Sequence, residues 1–518
     1  MKTKKILLLL GIVSLSMVSC NDFLDENKNP NKVDSDLVTP QAYLPGAQTN
    51  IFRTQATTMN ALGNIMTNAW GSNIYQFTGG NSTEYSFNFN TTTYSAIWNN
   101  YYLGINNFQK IIETTYPNQG NYIAIAKILK AHYMQYIVDF YGDAPYFEAW
   151  KGQANLAPAY TDDAVIYKEL VKELEEARAL IDTPSADAEA VTTDVMFAGD
   201  MAKWKQFANT IELRILLRQS ELTDAATISY LNTKYADLQA LSDFVTADVL
   251  VNPGYSSAND SKQNPFYNTY IRNSANATTQ AYNSTTSSKF FADVLNGDAA
   301  GPTAGVVDGR RNRFFILVSG KVVGVEQGLT ASAGQTNTTN PTSRIGPGVS
   351  GHVAVPPLSA VQAGSAKAGV VMLLSESLFL QSEAVQRGKL AGDARDLFNQ
   401  GIQASFTYLA ATPATAGATY ITNIDSKAGF GWTASADKIQ AIMTQKWIAL
   451  NEIHGGENYI NYTRTGYPVI PNPISALVYP SRPKRLLYPS SEYSTNPAHV
   501  PDLGSADVIT QGPFWYVP

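Results

Sequence analysis

The residue types that carry most enzymatic chemistry are sparse in this chain. Four histidines, His132, His352, His454 and His499, show no metal-ligand spacing and no HExxH pair. Each reads as a satisfied or surface imidazole rather than a ligand. No GxSxG nucleophile elbow occurs. The string from Gly346 to Gly351 matches GxGxxG, but no convincing strand precedes it, no helix follows, and Pro356 and Pro357 come soon after. That context does not suit a dinucleotide. Asp162 and Asp163 stand where a helix is expected to start, and acids there favour the helix dipole. Carboxylates that cooperate across space, as in glycoside hydrolysis, leave no sequence mark, so a hydrolase with distant acids stays open on this ground. The expectation is a non-catalytic protein with no cofactor and no metal.

Binding chemistry is better represented. Saccharide recognition asks for flat aromatic rings against pyranose faces, with amides, carboxylates or guanidinium groups at the edges. Trp70-Gly71-Ser72-Asn73-Ile74-Tyr75-Gln76-Phe77 supplies both kinds within one short stretch. Asn264-Pro265-Phe266-Tyr267-Asn268-Thr269-Tyr270, with Tyr255 and Tyr282 nearby, is a second such stretch. The candidate ligand residues are therefore Trp70, Asn73, Tyr75, Phe266, Tyr267, Tyr270 and Tyr282, with Trp70 foremost. Packing is the competing reading for each ring, because loop aromatics commonly cover a core edge. Tyrosine and asparagine suit a peptide ligand equally well, so glycan and peptide both remain open.

The elements that must position these groups are mainly helical. Tyr94, Ile97, Trp98, Tyr101, Ile105, Phe108 and Ile112 recur at helical steps, as do Tyr122, Ile125, Leu129, Tyr133, Ile137 and Phe140. Pro117 to Gly120 provides the turn between them, which predicts an antiparallel hairpin. A second hairpin is expected from Ile166 to Ile181 and from Trp204 to Ile215. Later the pattern returns over Val371 to Arg387, over Asp393 to about Leu409, and over Ile439 to Leu450, which stops at Gly455-Gly456. Helix pairs at this spacing are loosely like tetratricopeptide units, although the strict repeat signature is absent. Between the helical blocks, Asn252 to Gly364 is rich in Asn, Ser, Thr, Gly and Tyr, with weak strand signals at Phe314 to Val318 and Lys321 to Val325. A loop region of that length is usually functional. Thr463 to Pro518 holds ten of the 25 prolines, which excludes long helices there and predicts extended chain wrapped over the helices.

Several segments resemble the SusD-like (SusD/RagB) nutrient-binding lipoproteins, in particular their SusD-like 2 branch. They are FYGDAPYFEAW from Phe140, KWKQFANTIELRILLR from Lys203, SEAVQRG from Ser382, TQKWIALNEI from Thr444, YTRTGYP from Tyr462 and RLLYPSSEYSTNP from Arg485. The resemblance implies a mainly α fold: a TPR-like paired-helix scaffold with a long loop-rich region and minor β, in a single large domain. It also implies capture of a nutrient, glycan or peptide, beside a SusC-like TonB-dependent transporter in the outer membrane. Most matching residues read as scaffold: Trp204, Phe207 and Trp447 as core, Arg214 and Arg218 as partners of Glu or of capped carbonyls, Gly142 and Pro145 as a helix stop and turn.

The start of the chain fits an anchored protein. Lys2, Lys4 and Lys5 precede an apolar stretch from Ile6 to Val18 that is too short to span a bilayer. Cys20, the only cysteine among 518 residues, follows the lipobox-like Leu15-Ser16-Met17-Val18-Ser19. It is expected to accept lipid, with residues 1–19 removed, 20–40 forming a polar tether and 41–518 forming the binding domain. Asp22, Asp25 and Glu26 resemble the export signals of surface lipoproteins. Loss of three lysines with the leader moves the formal charge from -6 to -9, which suits no nucleic-acid partner. The membrane contact expected is the acyl anchor, and the place is the outer membrane, facing the cell surface.

Overall fold

The computed structural model describes residues 38–184, 189–351, 363–479 and 481–518. Cys20 and the tether up to residue 37 lie outside them, as does His352. The described chain begins with helices that the periodicity reading does not anticipate. Helix α1, Pro40–Thr54, runs through a π-turn, Gln55–Met59, into α2, Asn60–Met66. Thr, Gln and Asn interrupt its apolar face, so hydropathy alone conceals it. Strand β1, Trp70–Ser72, follows directly.

The expected hairpins are present. Helix α3, Ser95–Ile112, packs on α4, Gly120–Tyr141, and α4 packs on α5, Asp163–Asp182, which packs in turn on α6, Met201–Arg218. One further helix, α7, Ala225–Leu241, lies beside α6 and carries only a weak apolar stripe of Leu231, Tyr235 and Leu238. Acids set several starts: the Asp162 carboxylate accepts from the Val165 amide, Asp200 from Ala202 and Lys203, and Asp224 from Thr227. Each satisfies an amide that the first helical turn leaves without a carbonyl. Helix α4 is sheathed on nearly every side, so its polar side chains must find partners inside the protein.

Strands are few and short. Strand β2, Val249–Val251, pairs antiparallel with a later strand, and β3, Thr285–Ser287, pairs antiparallel with β1 in the register Trp70 to Ser287. The partner of β2 is β4, Gly369–Met372, which corrects the expectation that Val371 begins a helix. The β-branched run Val370-Val371 enters the ladder, and helix α8 starts only at Leu374 and ends at Gln386. Helix α9, Ala394–Tyr408, is capped by Asp393; α10 spans Lys438–Leu450; and α11 spans Gly455–Thr465. The pair Gly455-Gly456 thus opens a helix as well as following one. Its glycines are steric requirements: a Cβ on Gly63 of α2 would lie 1.8 Å from the Gly455 carbonyl oxygen, so α2 and α11 touch backbone to backbone. The two weak strand signals form single bridges only, Phe315 to Ile345, Val318 to Lys321 and Ser288 to Val325.

Two hydrophobic cores result. One lies among α1 to α7 and takes in Tyr459 and Ile460 of α11, the other lies among α9, α10 and the segments from Ile65 to Val370 that pack on them, and α8 contributes to both. Between them runs a seam of buried ions. Arg214 meets Glu376 at 3.3 Å, Arg218 pairs with Asp139 and Glu457, and Lys446 binds Glu457 at 3.0 Å, all shielded from water. Removing one partner from such a seam leaves a charge with no solvent to receive it. The C-terminal segment wraps the helices as expected: the Leu486 amide donates to the Phe140 carbonyl at 2.6 Å, and the buried Trp515 indole donates to Asp139 at 3.0 Å. The helices of this wrap are short, α12 over Ser490–Thr495 and a single turn over Asp507–Thr510. Among the described residues no helix is long and apolar enough to cross a membrane.

Candidate ligand site

The two aromatic and amide-rich stretches lie about two hundred positions apart in sequence, yet they meet in space. Pairing of β1 with β3 lays the loop after Trp70 beside the turn at Tyr282. The Asn73 amide donates to the Ser284 carbonyl at 2.7 Å, and the Asn73 side-chain amide donates to the Asn283 carbonyl at 3.0 Å. The same Nδ2 reaches Asn337 Oδ1 at 3.2 Å and Gln76 Oε1 at 3.3 Å. Arg344 completes the cluster, donating to the Thr285 carbonyl at 3.2 Å and to Asn337 Oδ1 at 3.1 Å. Burial holds the Arg344 guanidinium below its usual range. Burial also raises the Tyr282 phenol, while Arg344 and Arg272 oppose that rise. Tyr75 and Tyr282 are half-buried, so each keeps ring surface toward solvent.

The other candidate rings face inward. Trp70 is 2% exposed, its ring edge-on to Tyr270 at 5.1 Å, and its indole N–H points at Glu452 Oε1 at 3.4 Å. Tyr270 donates to the Thr57 carbonyl and packs on Phe266, while Tyr267 is 1% exposed and pressed against Gly364. Trp70, Tyr267 and Tyr270 therefore have no free face to stack on a ligand, and their work here is packing. The reason is tertiary: strand pairing turns Trp70 inward, and a buried indole needs an acceptor, which Glu452 supplies. Phe266 is half-buried and borders a small cavity with Phe52, Tyr408, Glu452 and Lys367. Burial raises the Glu452 carboxyl well above the usual range, while the Trp70 indole opposes that rise. Lys367, also pushed down by burial, to about 8, donates to the Gly348 and Val349 carbonyls.

Sequence reading passes over Asn283, Asn337 and Arg344. They belong to no aromatic run, and only the β1–β3 pairing brings them to Asn73. Asn73 is 0% exposed and its Nδ2 is spent on the bonds to Asn283 and Asn337, so it fixes the loops, and the half-buried Asn337 amide and Arg344 guanidinium beside two tyrosine rings are the groups that can take hydroxyls. Three carboxylates elsewhere, Asp143, Asp162 and Asp163, lie within 4.8 Å of one another. Each already has a structural duty: Asp162 caps α5, Asp143 accepts the Asp163 amide, and Asp163 accepts the Phe514 amide.

Comparison with solved structures places this architecture among known folds. A chitin-binding protein aligns with TM-score 0.69 at 23% identity, over 93% of this chain and 100% of that one. A chitin-binding SusD homologue from Flavobacterium johnsoniae aligns with TM-score 0.68 at 19% identity, over 91% and 98%. A SusD homologue from Bacteroides fragilis aligns with TM-score 0.69 at 20% identity, over 89% and 95%. No curated protein sequence matches the chain significantly. The family model described as starch-binding and associating with the outer membrane matches residues 30–489. With its helix pairs, loop-built cluster and family match spanning nearly all of the described residues, the chain belongs to the SusD-like 2 family of outer-membrane-associated proteins.

Proposed function

We propose that this protein is a non-catalytic surface lipoprotein that captures an oligosaccharide and delivers it to a SusC-like TonB-dependent transporter. The observation that carries the reading is the pair Asn337 and Arg344, held in place by buried Asn73 beside Tyr75 and Tyr282, a set of polar edges and flat rings matched to sugar hydroxyls and pyranose faces. Residues 1–19 act as a leader, Cys20 carries the lipid, residues 20–40 form the tether, and 41–518 bind. Affinity is modest, since a cargo that must be released cannot be held by every contact the surface could offer.

Calorimetry against panels of oligosaccharides and peptides tests the reading, with chitin oligomers included because two structural relatives bind chitin. Arg344→Ala removes charged donors and Tyr282→Ala removes a ring, so each weakens glycan binding by about tenfold. A peptide bound in preference to every glycan, or full glycan affinity in both variants, refutes the assignment. Co-purification with a TonB-dependent barrel reads the partner, and palmitate labelling lost in Cys20→Ala reads the anchor.

A further inference from the structure

A second cleft lies far from the loop cluster along the chain and is built differently. It has a volume of about 300 Å3 and forms where α3, the loop after α4 and the C-terminal helix α12 converge. Tyr102, Trp150 and Leu156 make its apolar side, with the Tyr102 and Trp150 rings stacked 5.7 Å apart and Leu156 75% exposed. Glu492 makes its polar side. The Glu492 carboxylate accepts from the Trp98 indole at 3.3 Å and from the Tyr160 hydroxyl at 2.8 Å, both neutral donors. Among the described residues no cation pairs with it, and no Lys, Arg or His lines the cleft. Lys130, whose ammonium lies 5.4 Å from the Trp150 ring, is bound to Glu173 at 2.7 Å.

A second acceptor in the cleft is vacant. Asn496 is 2% exposed, and its Nδ2 donates to the Pro158 carbonyl at 2.8 Å. Because a proline carbonyl can only accept, that bond fixes the amide orientation and leaves Oδ1 as the free atom. Asn496 Oδ1 has no hydrogen-bond partner. A half-buried carboxylate lacking a counter-charge and a buried carbonyl lacking a donor both call for a cationic, donor-rich ligand. The aromatic walls suit a flat body and an ammonium held against a ring. The rim bears Asn99, Ser491 and Thr495, small polar groups that match sugar hydroxyls better than an aliphatic side chain.

We propose that this cleft is a separate binding site for an amino sugar, with the primary ammonium on Glu492 and a donor of the same ring on Asn496 Oδ1. It does not depend on the ligand chosen at the loop cluster. Glucosamine tetramer is titrated by calorimetry into the full chain and into Arg344→Ala, which separates heat from the loop cluster. N-acetylglucosamine tetramer and tetralysine serve as comparison probes. Glucosamine tetramer is expected to bind about tenfold more tightly than its N-acetyl form, because acetylation removes the charge that strengthens the bond to Glu492. Glu492→Gln, whose Oε1 still accepts from the Trp98 indole while its Nε2 donates to the Tyr160 hydroxyl oxygen, is expected to erase that preference. Thr495→Arg, at an exposed position, places a cation at the mouth and is expected to do the same with the fold undisturbed. Equal affinity for the two tetramers, a preference that survives both variants, or tetralysine bound in place of the amino sugar overturns the proposal.

Discussion

Glu383 offers a test of how α8 and α11 are clasped. It sits on α8 with no solvent exposure, and Arg464 of α11 holds both its oxygens, at 2.7 and 2.8 Å, while Arg387 Nε donates at 2.9 Å. Burial alone would raise this carboxyl, but Arg464 and then Arg387 outweigh it and hold Glu383 down to about 2, against 4.5 for a free glutamate. A folded pKa below the unfolded one means stability that is present above the unfolded value and lost as pH falls through the folded value. The shift of roughly 2.5 pH units corresponds to about 3 kcal/mol, of which about 2 is gone by pH 3. Glu383→Gln keeps the shape and removes the charge, leaving the Arg464 guanidinium buried and underpaired. It is expected to cost about 3 to 5 kcal/mol at pH 7. Urea denaturation of both proteins at pH 7, 5 and 3 isolates the group, since every other carboxylate is common to the pair. The gap between them should hold from pH 7 to pH 5 and then narrow by about 2 kcal/mol at pH 3. A gap that stays constant down to pH 3 would show that Arg464 does not hold Glu383 ionised, and the clasp would then be a matter of shape alone.

Other expectations follow from the same contacts. Gly63→Ala should destabilise by about 3 kcal/mol or more, read as a lowered urea midpoint, because its methyl would collide with the Gly455 carbonyl and push α2 from α11; a midpoint within error of the parent would mean the two helices can part freely. Glu452, with its pKa raised by burial, contributes stability that is complete below the free glutamate value and declines as pH rises, so Glu452→Gln should match the parent at pH 4 and exceed it at pH 8 in thermal melts. Trp70→Ala should lower thermal stability by about 3 to 5 kcal/mol, as loss of a large core ring does, and any fall in glycan binding should be recovered by Trp70→Phe; selective loss of binding in a protein of full stability would restore Trp70 as a ligand platform.

The sequence by itself determined the helix pairs from Ser95 to Arg218, the acidic start of α5 at Asp162, the wrapped proline-rich end and the family. Periodicity and capping are local, so hydropathy and hydrogen-bonding chemistry over a dozen residues suffice to specify them. The same reasoning misses α1 and α2, whose buried faces carry Gln48, Gln55, Asn60 and Asn64. Those polar groups are tolerable only because distant partners satisfy them, as when Asn60 donates to the Glu452 carbonyl at 2.8 Å. The direction of each aromatic ring was likewise a tertiary decision. Trp70 and Tyr75 are five residues apart in one polar stretch and chemically alike, yet strand pairing buries the first and leaves the second half-open. Asn337 and Arg344 joined Asn73 only when three loops closed on one another. Composition can show that a chain carries the groups for binding a sugar, but a site is a distance relation among residues far apart in sequence, and only packing sets those distances.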